Sequence, residues 1–184
     1  MSHPRHAALA LASTLVLLTG CTPTSPPTMS ASPTLTTSTP TPSVDPLYVE
    51  AERVYREYFR ELTALEVAGG AEQLPPVFKT LVMEPLFSSM QVAYRDAKEK
   101  GLHYKPGAIP ILKWVRPLPG AAYGDSVIAV QTCVDGRLTV LLDGAGQSRG
   151  PGIAMKNMVF FKRDSDQVLK ITVTDLEEVQ ECTA

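Results

Sequence analysis

The chain has 184 residues, 44% of them hydrophobic and 20% charged, with 17 basic against 19 acidic side chains. That mild acidic excess excludes the basic footprint of a nucleic-acid binder and of a protein drawn to an anionic membrane surface. Three cysteines and three histidines are few enough that the place of each one bears on function.

The first twenty residues read as an export segment. Arg5, with the free amine and the flanking His3 and His6, makes a short positive start. Ala7 to Leu18 is an uncharged apolar run of twelve residues, too short for a membrane-spanning helix, which needs about 20. Leu18-Thr19-Gly20-Cys21 follows, with compact side chains where a signal peptidase needs them. This run resembles the lipobox of bacterial lipoproteins. The resemblance implies removal of residues 1–20 and a diacylglyceryl thioether on Cys21, often with a further acyl chain such as palmitate on its amine. One acyl chain binds a membrane only marginally, at about 0.8 kcal/mol per buried methylene, whereas two or three anchor stably. The expected location is therefore the cell membrane, on its extracytoplasmic side. The alternative is a signal peptide that merely contains a cysteine.

Residues 22–44 hold six Pro, eight Thr and five Ser, with no charge. Such a segment cannot bury enough apolar surface to offset its ordering entropy, and it reads as a disordered linker. Fully extended it would reach roughly 70 Å, and as a flexible coil about 27 Å. A Thr/Pro-rich tether after a lipobox resembles lipoproteins of high-GC Gram-positive bacteria.

Residues 45–184 suffice for one domain with its own core. Asp45-Pro46 opens it as a helix start, an N-cap aspartate with proline at the first helical position. Leu47, Ala51, Val54, Tyr55, Tyr58, Leu62 and Leu65 then recur at helical spacing until Gly69-Gly70. Glu50, Glu52, Arg53, Arg56, Glu57, Arg60 and Glu61 form the opposite, solvated face. Pro75-Pro76 allows only a short second helix over 77–82. A third, from Pro85 to Gly101, uses Leu86, Met90, Ala93, Tyr94 and Ala97.

The apolar period then changes to two. Strands are expected over 109–116, 127–133, 138–143, 153–162 and 168–175. The second and third are expected to join as a hairpin across Val134-Asp135-Gly136-Arg137, since Asp-Gly favours tight hairpin turns. Helices followed by antiparallel strands argue for an α+β fold, with the helices packed on a single curved sheet. With Cys21 lipidated, Cys133 and Cys182 remain as an even pair in an exported protein. There they are expected to form a disulfide rather than stay as free thiols.

At this point residues 45–184 resemble the nuclear transport factor 2-like superfamily, in particular small secreted actinobacterial lipoproteins. The matching features are the helix Val54-Tyr55-Arg56-Glu57-Tyr58-Phe59 before glycines, Cys133-Val134-Asp135-Gly136, the aspartate-rich turn at Asp164-Ser165-Asp166 and the near-terminal Cys182. The last strand begins Gln167-Val168-Leu169, without the tryptophan common there in such proteins. The resemblance implies a cone, a bent sheet around a long helix and often an open apolar cavity, with Cys133 and Cys182 bridging two strands. It implies no activity, because the fold hosts enzymes, binding modules and dimerisation domains alike.

Catalytic chemistry is sparse in the sequence. Without the leader the chain keeps a single histidine, His103, expected in a loop beyond a helix end. A histidine-based metal site or a Ser/His/Asp triad has too few parts. Gly144-Ala145-Gly146-Gln147-Ser148-Arg149-Gly150 fits a hairpin loop better than a nucleotide-binding loop, and nothing calls for a cofactor. Asp143 and Asp175 are the only carboxylates near apolar strand faces, and they read as turn or cap residues. Tyr55, Tyr58, Tyr94 and Trp114 are the candidates to line a cavity mouth, against core packing as the commoner role of such aromatics.

The leading expectation is a non-catalytic, lipid-anchored envelope protein whose domain binds a protein or small ligand outside the membrane. Envelope components, phage or a conjugation apparatus are the candidate partners. The competing expectations are an enzyme similar to ketosteroid isomerases and polyketide cyclases, and a homodimerising structural module.

Overall fold

The computed structural model describes residues 45–183. The leader, Cys21 and the Thr/Pro-rich segment lie outside the described residues. Among the described residues no helix is long and apolar enough to cross a membrane, and no three His, Cys, Asp or Glu side chains converge as a metal site.

The fold is α+β. Helix α1 runs Pro46–Val67, and the Asp45 side chain accepts from the Leu47 amide at 2.9 Å as its N-cap. Its apolar stripe buries Ala51, Val54, Tyr55, Tyr58 and Leu65. Helix α2 (Phe78–Leu81) buries Phe78 and Leu81. Helix α3 (Leu86–Lys100) sits nearer the surface: only Met90 is fully buried, and Ala93, expected in the core, is exposed. It ends on Gly101 at φ +65°, where Leu102 donates back to the Ala97 carbonyl at 2.9 Å. A Cβ at Gly101 would lie 2.6 Å from the Gly144 Cα, so only glycine lets the helix end meet that loop.

The strands form two sheets rather than the expected single one. Strands β2 (Ile111–Pro117), β3 (Ile128–Asp135), β6 (Ala154–Arg163) and β7 (Leu169–Val179) make an antiparallel sheet in the order β2-β3-β6-β7. Strands β1 (His103–Tyr104), β4 (Val140–Leu142) and β5 (Ser148–Pro151) make the second, in the order β1-β4-β5. The expected hairpin across Asp135-Gly136 is absent for a topological reason. Both hydrogen-bonding edges of β3 are already filled, by β2 on one side and β6 on the other. The chain therefore turns at Gly136, where Thr139 donates back to the Gly136 carbonyl, and leaves for the second sheet.

Two short strands were not anticipated. His103 lies in β1, its Nδ1 2.9 Å from the Gly101 carbonyl oxygen, and β5 forms within the glycine-rich segment. That segment is the β4–β5 hairpin, whose loop is held by Asp143 Oδ1 accepting from the Ala145 and Gln147 amides.

Alternation along the larger sheet separates its faces. Val130, Thr132 and Val134 of β3, and Asn157, Val159 and Phe161 of β6, face α1 and the core. Leu169 and Ile171 of β7 complete that core beside Phe78 and Leu81. Fully burying each such side chain stabilises by about 1.5–3 kcal/mol relative to exposure. The Arg163 guanidinium pairs with Glu50 at 2.7 Å and ties the end of β6 to the first turns of α1.

The outer face of the sheet is covered by two segments. Tyr123, in the β2–β3 connection, lies against Phe160 with ring centroids 5.7 Å apart. The chain beyond β7 crosses to β3, where Cys182 is bonded to Cys133 across a Cα–Cα distance of 5.7 Å. Cys133 is fully buried in β3, but Cys182 lies past the end of β7. The bridge therefore fastens a tail to a strand, not one strand to another. Arg137 donating to the Gln180 carbonyl, and Trp114 Nε1 donating to that of Thr183 at 3.2 Å, hold the same tail.

Candidate functional site

Between α1, the inner face of the larger sheet and the second sheet lies a cavity of about 420 Å³. Helix α1 supplies Tyr55, Tyr58, Phe59, Leu62 and Glu66. Their spacings of three and four place all five on one face of the helix. Val134, Met155, Asn157 and Thr174 come from the sheet. Tyr104, Pro110, Thr139 and Leu141 complete the lining. Arg149, Gly150, Pro151, Ile153 and Leu176 line the cavity yet remain exposed, so they mark its mouth.

Two polar groups interrupt the apolar wall. The first is Glu66, half-buried in the last turn of α1. Its carboxylate accepts the Tyr94 hydroxyl at 2.8 Å and also bonds the Tyr104 hydroxyl. Burial pushes its pKa up to about 7, and the two tyrosine bonds oppose that rise without cancelling it. Tyr94 and Tyr104 are themselves raised, first by burial and then by the neighbouring Glu66 charge, so both stay protonated and donate. The chain places Tyr94 there by a close approach. A Cβ on Gly70 would come 2.3 Å from the Tyr94 carbonyl oxygen, and at φ +76° the glycine lets the segment after α1 lie directly on α3.

The second group is formed by Tyr55, Thr132 and Asn157. Thr132 and Asn157 are cross-strand partners on β3 and β6. The Tyr55 hydroxyl accepts from Thr132 Oγ1 at 3.0 Å and from Asn157 Nδ2 at 3.2 Å. Burial raises the Tyr55 pKa, and these two bonds lower it by less. Asn157 is 7% exposed and lines the cavity, yet its Oδ1 meets no donor among the described residues. Leaving a buried acceptor unpaired costs about 1–3 kcal/mol.

Of the four aromatic candidates, Tyr55, Tyr58 and Tyr94 line this cavity. Tyr58 is also a core residue, its hydroxyl toward Met90 Sδ at 3.8 Å and its ring edge-on to Phe78. Trp114 is elsewhere. It stands on the outer face of β2, with the Arg116 guanidinium 4.3 Å over its ring and its indole N–H on the C-terminal tail. A register shift between Leu112 and Trp114 breaks the alternation of β2, so Leu112 and Val115 pack on the core while Trp114 pairs opposite Cys133 on the outer face.

Glu66 and Asn157 were not among the residues expected from sequence. A signal for each existed. Glu66 falls four residues after Leu62 and eleven after Tyr55, on the buried stripe rather than the charged face. Asn157 interrupts the inward alternation Met155, Val159, Phe161 with an amide. Chemically, the cavity offers an apolar bed and one carboxyl whose pKa burial raises to about 7. Compared with known proteins, the chain matches no protein-family model and no curated sequence.

Proposed function

We propose that this is a lipid-anchored extracytoplasmic protein whose domain binds a small, mainly apolar ligand, with the long helix α1 lying along the sheet as in the nuclear transport factor 2-like cone. The observation that carries the reading is the open cavity of about 420 Å³, walled by Phe59, Leu62, Val134, Leu141 and Met155 with few polar groups. Small-molecule sites are characteristically concave, mostly apolar and provided with a few placed polar groups. A filled cone with an exposed apolar face would have favoured a protein partner instead. In this reading the Thr/Pro-rich segment after Cys21 is a spacer between the anchor and the domain.

The neutral fluorophore N-phenyl-1-naphthylamine tests this reading. Its fluorescence is expected to rise saturably on mixing with the protein, and Leu62→Trp, which fills the middle of the cavity, is expected to abolish the rise. Absence of a saturable signal from the wild-type protein would remove the binding role.

Glu66 favours a second reading, an enzyme of the isomerase or cyclase type. A carboxyl raised to about 7 beside two hydroxyl donors in an apolar site has the properties of a proton-transfer group. Its hydrogen-bond partners are Tyr94 and Tyr104 rather than Tyr55 or Tyr58. Turnover of an enolisable cyclic ketone that disappears in Glu66→Gln would select this reading over simple binding.

A further inference from the structure

The charge inside the cavity is one-sided. Glu66 lines it, and no ion pair among the described residues includes this carboxylate. Its partners are the neutral hydroxyls of Tyr94, at 2.8 Å, and Tyr104. A carboxylate accepts at about four sites, so these two hydroxyls leave part of its capacity free. Glu66 is half-buried rather than enclosed, and neither of its oxygens is a buried atom lacking a partner. The carboxylate is therefore open to a ligand.

Two further features act with the same sign. Glu66 stands in the last turn of α1, where the helix carbonyls carry partial negative charge and favour a cation. That turn holds no basic residue. Tyr55, Tyr58, Tyr94 and Tyr104 add aromatic surface to the wall, and aromatic ring faces attract cations. Arg149, the basic residue of the lining, is exposed at the mouth and lies 3.7 Å from Asp143, which balances its charge. Leu62 and Phe59 precede Glu66 on the same face of α1, about 6 and 10 Å away by helix rise. A ligand group at Glu66 thus continues into apolar wall.

We propose that the cavity takes a cationic, mainly apolar ligand, a primary amine whose ammonium group pairs with the Glu66 carboxylate while its hydrocarbon body lies against Leu62 and Phe59. The inference rests on the ligand-binding reading above and adds to it the chemical class of the ligand. An ammonium group supplies the counter-charge that a carboxylate removed from water requires, and the same attraction favours the ionised form of Glu66. An anionic ligand group at that place would meet like charge.

Three naphthalene probes of nearly equal shape test it: 2-(aminomethyl)naphthalene, 2-(hydroxymethyl)naphthalene and 2-naphthoate, titrated into the protein by calorimetry. At pH 8 a carboxyl with a pKa of about 7 is mostly ionised, and the alkylamine keeps its proton. The amine is expected to bind about tenfold tighter than the alcohol, because its hydrogen bond is charge-assisted, and naphthoate is expected to bind most weakly. Glu66→Gln keeps the shape of the side chain and removes its charge. In that variant the amine and the alcohol are expected to come within about twofold of each other. An alcohol that binds the wild-type protein as tightly as the amine, or a preference for naphthoate, would overturn the proposal while leaving the cavity reading intact. An amine advantage that persists in a folded Glu66→Gln would overturn the role of Glu66. Failure of all three probes to bind would overturn both readings. The wild-type comparison stands even if the variant does not fold.

Discussion

Glu66 is the side chain whose state depends most on where the fold has put it. Its carboxyl is raised from an ordinary 4.5 to about 7 by burial, so the folded protein holds a proton that the unfolded chain releases. Between those two values the native state binds more protons, and stability therefore falls as pH rises from about 4.5 to about 7. The opposite slope from Asp125, Asp135, Asp143 and Asp164, all lowered from 3.8, lies at more acid pH and does not overlap this window. Thermal melts from pH 4.5 to 8 are expected to show a decline in the wild-type protein that is reduced in Glu66→Gln. A parallel decline in both proteins would mean that Glu66 is solvated and unperturbed. The charged face of α1 was legible from residue order. Glu66 was not read as special, because a glutamate near a helix end is ordinary until Tyr94 and Tyr104, 28 and 38 residues later, are brought against it.

At the level of elements, the long helix and the main strands follow from local pattern, and their pairing does not. Helix α1 begins at its Asp45-Pro46 cap and ends before Gly69-Gly70, both visible in the sequence. Asp135-Gly136 shows the limit of such local signals. Its turn chemistry is real, but β2 and β6 occupy both edges of β3, so the chain makes the turn and leaves the sheet. The C-terminal tail is another element defined by tertiary contact. The bond from Cys182 to Cys133 closes a separation of 49 residues, for which the chain-entropy model gives roughly 4 kcal/mol. Cys182→Ser is expected to lose a large part of that in denaturant unfolding. Residues after Val179 should also become sensitive to proteolysis, because the Arg137 and Trp114 bonds to the tail are too few to hold it. Unchanged stability would show that the bridge merely decorates a tail already fixed by packing.

For the molecule as a whole, the proposed anchor and the cavity are separate properties that meet only in function. If Cys21 is the lipidated residue, Cys21→Ala is expected to move the protein from the membrane fraction to the medium or leave its leader uncut, with ligand-probe binding by the folded domain unchanged. Normal maturation with full membrane retention would contradict the anchor. The sequence by itself determined the order of helices before strands, the extent of α1, the even cysteine pair and the lipobox-like run. These depend on residues close together in the chain, or on a count. Only the tertiary structure decided that the strands divide into two sheets, that Trp114 faces outward, and that Glu66 and Asn157 interrupt an apolar cavity. Those outcomes depend on which strand edges are already filled and which faces meet across tens of residues. No local window of sequence contains that information.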